Sequence, residues 1–473
     1  MPSFHRIVTS RLRLPAVFLL ALALSLGISL AAPPEVAAQN ALTQNKQRAV
    51  PVKASPKKKK PRKRAEPKPE SLPWPDNVKA LAGASGAVLV VDHHARPDEN
   101  SELISLNPDK DYVPASILKL VTSASALVAL GPDYRFRTDF YLDQNLNLWI
   151  KGYGDPFLVS EELCFIVEQL KLRGLAKVNG IYLDASFFQE GEVVDGSTFT
   201  LNPYDAYNGA LGVNFNTVNF LIDSSDQIVE FNECTPLTPI ALDMRKKHVP
   251  AKKRKKKTRS FSMNISESPE LALEHAGQLI RELLVKNEVT VEGTVIIGRE
   301  VPPELKPFYE HLSTKNLQEM IVEVLKYSSN YVTNQIFLTM GAEIYGAPGN
   351  FEKGKLVVDD FLRAFELPRL TIVEGSGLSR NNLLTARQMS EVLKVMEPAR
   401  ILIKSASDGS VYYKTGTMTN IQTLAGYLER PGRPNEPLAF VILLNGTYAP
   451  GTREKILSAL KAHFVDESDK EVS

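Results

Sequence analysis

Three short motifs occur in one order along the 473-residue chain: Ser116-Ile-Leu-Lys119, then Ser328-Ser-Asn330, then Lys414-Thr-Gly416. A serine hydroxyl is a weak nucleophile near neutral pH and attacks a carbonyl only when a neighbour takes its proton. A lysine can be that neighbour if burial or a second cation destabilises its ammonium form. The order S-x-x-K, S-x-N, K-T-G is that of serine acyl transfer with a lysine base. It makes Ser116 the candidate nucleophile and Lys119 the candidate base, with Ser328, Asn330 and Lys414 completing the candidate catalytic set. A Ser-His-Asp hydrolase would require G-x-S-x-G, which the sequence lacks.

Chance matches must be removed first. S-x-x-K also occurs at Ser55 with Lys58 and at Ser458 with Lys461. Ser55 precedes Pro56 in a lysine run without apolar periodicity, and Ser458 sits in an amphipathic C-terminal stretch where surface Ser and Lys are ordinary. Ser116 alone follows Pro114-Ala and precedes a small, apolar run that Gly131-Pro132 closes, the pattern of a buried helix. If Ser116 opens that helix, the i, i+3 spacing puts hydroxyl and amine on one face. S-x-N also fits at Ser105, Ser262 and Ser379, but only Ser328 follows a periodic helix, expected over 317–327, at a break. K-T-G occurs once, on a strand-like run at 411–417. Runs at 423–429 and 439–444, with a Pro-Gly-Arg-Pro-Asn turn between them, extend it into an antiparallel meander. Gly416 is expected to let a substrate backbone approach that strand closely.

With these motifs in place, the sequence resembles the penicillin-recognising serine D-alanyl-D-alanine carboxypeptidases, specifically the low-molecular-mass class C penicillin-binding proteins. The resemblance extends to Val88-Leu-Val-Val-Asp92, Gly152-Tyr-Gly-Asp-Pro156, Asn214-Phe-Asn-Thr-Val-Asn219, Glu374-Gly-Ser-Gly-Leu-Ser-Arg380 and Leu424-Ala-Gly-Tyr427, and so covers roughly residues 76–465. Two departures are Ser329 and Glu374, where the family often has aspartate. The resemblance implies an α/β (α+β) fold of the penicilloyl-serine transferase type, β-lactamase/transpeptidase-like, with an antiparallel sheet flanked by helices and a largely β insertion between the first and second motifs. It also implies attack by Ser116 on peptidoglycan stem peptides ending in D-Ala-D-Ala, and inhibition by β-lactams. Ser328 would relay a proton to the leaving nitrogen. Asn330 would hold Lys119 and the substrate amide, and Lys414 with Thr415 would bind the terminal carboxylate. Backbone N–H groups of Ser116 and Thr417 would hold the oxyanion. A β-lactamase and a catalytically silent envelope-binding protein are the competing readings.

The spacing carries the same message, because about 210 residues between Ser116 and Ser328 are too many for a direct connection inside one small domain. The expected organisation is a signal peptide at 1–38, a basic Pro-rich linker at 39–75, a first catalytic part at 76–133, inserted domains at 134–306 and a second catalytic part at 307–473. Three arginines precede an apolar run at 14–32 that ends in small residues, which reads as an export signal to the periplasm, an uncleaved anchor being the alternative. Cys164 and Cys234 are the only cysteines, and in an oxidising compartment they either pair or remain two buried thiols.

The net charge of +2 hides two basic runs. Between 46 and 70 there are eleven Lys and Arg against two Glu, and between 245 and 259 ten with no acid. Such runs are expected to be solvated loops that space domains or bind an anionic envelope surface. Nothing indicates nucleic acid, a cofactor or a metal. The glycines at 349 and 354 lack the Ser or Thr of a phosphate loop, and His93 and His94 point to opposite faces of a strand.

Overall fold

The computed structural model describes residues 72–250, 257–265 and 268–466. The expected signal at 1–38, most of the expected linker and the middle of the second basic run lie outside the described residues. A short helix, Asp76–Ala82, leads into strands β1 (Ala87–Val91) and β2 (Glu102–Leu106), which pair antiparallel. Every residue of β1 is buried. Its alternation splits the strand between two cores, Ala87, Leu89 and Val91 on one face and Val88 and Val90 on the other. A strand covered on both faces therefore reads as a continuous apolar run. The helix Leu118–Leu130 follows and stops at Gly131, whose φ of 88° a side chain would resist.

The chain then leaves this unit. Strands β3 (Arg137–Leu142), β4 (Asn147–Gly152), β5 (Lys177–Val178), β6 (Gly180–Asp184), β7 (Thr217–Ile222), β8 (Ile228–Val229), β9 (Arg259–Asn264), β10 (Thr290–Val291), β11 (Val295–Ile297) and β12 (Pro307–Leu312) form an inserted region. Its main sheet has the order β11-β6-β4-β3-β12. β4 and β6 run parallel, which requires a crossover, supplied by the helix Ser160–Leu172. A second sheet, β8-β7-β9, packs against the helix Pro239–His248 over its own small core. The disulfide Cys164–Cys234 ties the crossover helix to the segment of that second unit between β8 and the helix Pro239–His248.

Three α-helices of 13, 10 and 18 residues accompany the ten short strands of this insertion. Leu163, Ile166, Val167 and Leu170 recur at helical spacing and face the main insertion core. The insertion also runs past 306, because β12 pairs antiparallel with β3. The second basic run is not wholly a loop either. It begins on the helix Pro239–His248 and ends on β9, and Arg245 and Arg259 both donate to Asp226, at 2.9 and 3.2 Å.

Beyond β12 come the helices Leu317–Tyr327, Asn330–Tyr345, Phe351–Ala364 and Ala386–Met396, then strands β13 (Val411–Met418), β14 (Ile421–Arg430) and β15 (Arg433–Asn445), and the helix Thr452–Lys461. The five-stranded sheet β13-β14-β15-β1-β2 is antiparallel throughout, with Leu89 opposite Val441. Pairing of β1 with β15 reunites the two halves that the insertion separates. Among the described residues no helix is long and apolar enough to cross a membrane.

Candidate active site

Ser116 lies in a 3-10 turn, Ala115–Ile117, one step before the regular helix that carries Lys119. The turn is tight enough to hold Ala115 at a φ of 49°, a conformation uncommon for a residue with a side chain. Ser116 is half-buried, whereas Lys119 is wholly buried. The Lys119 Nζ lies 3.2 Å from Ser116 Oγ, 2.8 Å from Asn330 Oδ1 and 2.6 Å from the carbonyl of Ser376. Burial is the main force pushing the Lys119 ammonium well below its ordinary range, and the nearby charge of Lys414 adds to it, while Glu374 opposes both.

Ser328 ends the helix Leu317–Tyr327 in the left-handed region, φ 63°, and so turns its hydroxyl out of the helix direction. Ser329 caps the next helix, its side chain accepting from Val332 N. Serine and aspartate cap helices about equally well, which explains why a serine is tolerated at this position. Asn330 then starts the helix Asn330–Tyr345. Its Oδ1 accepts from Lys119 and its Nδ2 donates to the carbonyl of Tyr204 at 3.3 Å, so both ends of the amide are oriented by neighbours.

Lys414 faces inward from β13 and is buried; its Nζ donates to Ser328 Oγ and to the carbonyl of Thr415, both at 2.8 Å. Burial, then the charges of Arg453 and Lys404, push Lys414 down to about 8. Thr415 is half-buried and Thr417 exposed on the same strand. Arg453, from the last α-helix, donates to Thr417 Oγ1 at 2.8 Å and to the carbonyls of Gly416 and Thr423. Gly416 is required by the fold itself: a Cβ there would overlap Thr423 Oγ1 and come within 2.9 Å of Pro114 O and Ser116 N, so the glycine admits the chain's own nucleophile turn. Thr423 Oγ1 fastens that turn by donating to Pro114 O at 2.6 Å.

The five candidate catalytic residues therefore meet in one place, carried by five different elements. Three contributors carry no motif of their own: the carbonyl of Ser376, the carbonyl of Tyr204 and the guanidinium of Arg453. The Tyr204 contact brings the insertion into the site, and Gln335 secures it by donating to the carbonyls of Gly154 and Gly209. Among the described residues no group of three or more His, Cys, Asp or Glu is placed to hold a metal. His93 and His94 instead face Ser390 and Glu397.

A serine beside a buried lysine, under an antiparallel sheet whose edge strand carries a second lysine, defines an acyl-transfer peptidase of the lysine-base class. Residues 76–404 and 395–463 match the family described as the D-Ala-D-Ala carboxypeptidase 3 (S13) family. The chain belongs to that family and is a serine-type carboxypeptidase, a hydrolase. It is 28% identical over 438 residues to the D-alanyl-D-alanine carboxypeptidase of Actinomadura sp. strain R39, covering 78% of this chain and 79% of that one. The D-alanyl-D-alanine carboxypeptidase DacB of Haemophilus influenzae is 24% identical over 418 residues, 76% of this chain and 85% of that one. The crystal structure of penicillin-binding protein 4 from Haemophilus influenzae shares the fold with a TM-score of 0.67 at 21% identity, covering 82% of this chain and 98% of that one.

Proposed function

We propose that the enzyme cleaves the D-alanyl-D-alanine end of peptidoglycan stem peptides, and the corresponding cross-links, through an acyl-enzyme on Ser116. The observation that carries this reading is the wholly buried Lys119 amine 3.2 Å from Ser116 Oγ. In the proposed sequence, Ser116 Oγ attacks the carbonyl of the penultimate D-alanine while Lys119 takes its proton. The peptide C–N bond breaks, the leaving nitrogen receives a proton through Ser328, and water then releases the acyl group. Asn330 keeps Lys119 in place and meets the substrate amide. Lys414 and Thr415 attract the terminal carboxylate, and the backbone N–H groups of Ser116 and Thr417 hold the oxyanion, each worth on the order of 3 kcal/mol in other enzymes.

β-Lactams carry a strained amide and a carboxylate in comparable positions, so benzylpenicillin should acylate the same serine. Mass spectrometry of the purified protein after incubation with the drug is expected to show one stable adduct, located on the Ser116 peptide after digestion. Hydrolysed drug with no adduct would replace this reading by a β-lactamase; intact drug with no adduct would leave a silent binding protein.

The reading places the enzyme outside the cytoplasm, exported by the signal at 1–38, and the Cys164–Cys234 disulfide fits an oxidising compartment. The basic runs at 46–70 and 245–259 are proposed to hold it against anionic envelope polymer or phospholipid headgroups. Co-sedimentation of the full chain with anionic vesicles is expected to weaken with salt and to vanish when both runs are deleted; salt-independent binding would remove this role.

A further inference from the structure

A loop outside the three motifs touches the first of them and the helix that begins at Asn330. Glu374 is wholly buried, and its carboxylate accepts five hydrogen bonds. Its Oε2 receives Asn334 Nδ2 at 3.0 Å, Ser376 N at 2.8 Å and Ser376 Oγ at 2.6 Å. Its Oε1 receives Ser379 N at 3.2 Å and Asn382 Nδ2 at 2.7 Å. Asn334 belongs to the Asn330 helix and returns the contact by accepting from Gly375 N at 2.9 Å. Thr122, three residues after Lys119, donates to Gly375 O at 2.7 Å. Gly377, at a φ of 81°, sits so close to the nucleophile turn that a Cβ would overlap the carbonyl of Ala115. These contacts fix one atom in space, the Ser376 carbonyl oxygen that receives Lys119 Nζ at 2.6 Å.

That atom matters because of the valence of nitrogen. A neutral lysine amine has two N–H bonds and one lone pair. Ser376 O and Asn330 Oδ1 have no hydrogen to give, so each must take an N–H from Lys119. Both N–H bonds are then committed, and the lone pair is left for the third neighbour, the hydroxyl of Ser116, which can donate to it. We propose that Glu374 is a positioning residue that, by fixing the Ser376 carbonyl, sets the rotation of the Lys119 amine so that its lone pair faces Ser116. The inference rests on Ser116 and Lys119 being nucleophile and base.

Glu374 also acts through its charge. The charged groups facing Lys119 are Glu374 from this loop and Lys414 from β13. The negative one favours the ammonium and the positive one the neutral amine. Replacing Glu374 by glutamine therefore separates two effects. It loosens the carbonyl, which slows acylation, and it makes Lys119 easier to deprotonate, which moves the acid limb of the pH profile to lower pH. Thr122→Val loosens the same loop without changing charge.

The test is the second-order rate of acylation by benzylpenicillin as a function of pH for the wild-type protein, Glu374→Gln and Thr122→Val, each corrected for its folded fraction by thermal unfolding. The expected result is a loss of about tenfold or more for Glu374→Gln with the acid limb displaced to lower pH, and a loss of several-fold for Thr122→Val with the limb unmoved. Wild-type rates in both variants, or a Glu374→Gln loss with an unmoved acid limb, would overturn the proposal. Should Glu374→Gln fail to fold, Thr122→Val decides, a wild-type rate counting against the role of the loop. Failure of the nucleophile assignment would show differently, as a wild-type adduct on some residue other than Ser116.

Discussion

Replacing Ser116 by alanine is expected to abolish covalent labelling by benzylpenicillin and leave the protein folded. The hydroxyl is half-buried and its one side-chain partner is Lys119, which keeps Asn330 Oδ1 and the Ser376 carbonyl as partners when Ser116 is gone. No buried group loses its last hydrogen bond, so the stability change should be within about 1 kcal/mol. Reversible binding of the drug should survive, because Lys414, Thr415 and Thr417 are untouched. Intact-mass spectrometry and a thermal unfolding curve on the same sample check both halves of the statement. A persistent adduct would make another residue the nucleophile. Ser458 is a poor substitute despite its S-x-x-K spacing, since its hydroxyl donates to Glu454 O on an exposed helix and Lys461 is paired with Asp408 at 2.9 Å.

What the sequence made legible follows from how local each signal is. The helix Leu317–Tyr327 and the strands around Lys414 were readable because their apolar periods and turn residues lie within one element. The three motifs were readable because the side chains that meet around Ser116 and Ser328 belong to them. Ser376 and Tyr204 were not, because each contributes a backbone carbonyl, which any residue type possesses. Arg453 was hidden for another reason. It starts a surface helix far along the chain, and only the folded sheet brings its guanidinium to Thr417. The insertion was legible in the motif spacing and in the resemblance, while its crossover helix rests on the less conspicuous Leu163, Ile166, Val167, Leu170 period. At Gly416 the sequence marks a close approach to the strand, and only the fold shows that the chain's own nucleophile turn is one of the neighbours.

The role of Lys119 can be separated from its mere presence as a cation. Arginine at this position keeps positive charge and hydrogen-bond donors, yet a guanidinium does not lose its proton in a protein and has no lone pair to offer Ser116. Lys119→Arg and Lys119→Met are therefore expected to lose acylation alike, by about 10²–10⁴-fold, the usual worth of a general base. An arginine variant within tenfold of wild type would mean that charge, not proton transfer, is what the position supplies. The wild-type pH profile of kcat/KM carries the complementary signature. On the acid side the rate rises as the buried Lys119 amine deprotonates, which desolvation and Lys414 bring well below the ordinary lysine range. On the alkaline side it falls as Lys414, pushed down to about 8, gives up the charge that attracts the substrate carboxylate and donates to Ser328. Two lysines held at different depths beside one another thus do opposite work in the same pH window, one useful because it is neutral and the other because it is not. A substrate with its terminal carboxylate amidated should lose the part of the alkaline limb that comes from carboxylate attraction and keep the acid limb, since only the second lysine answers to that group.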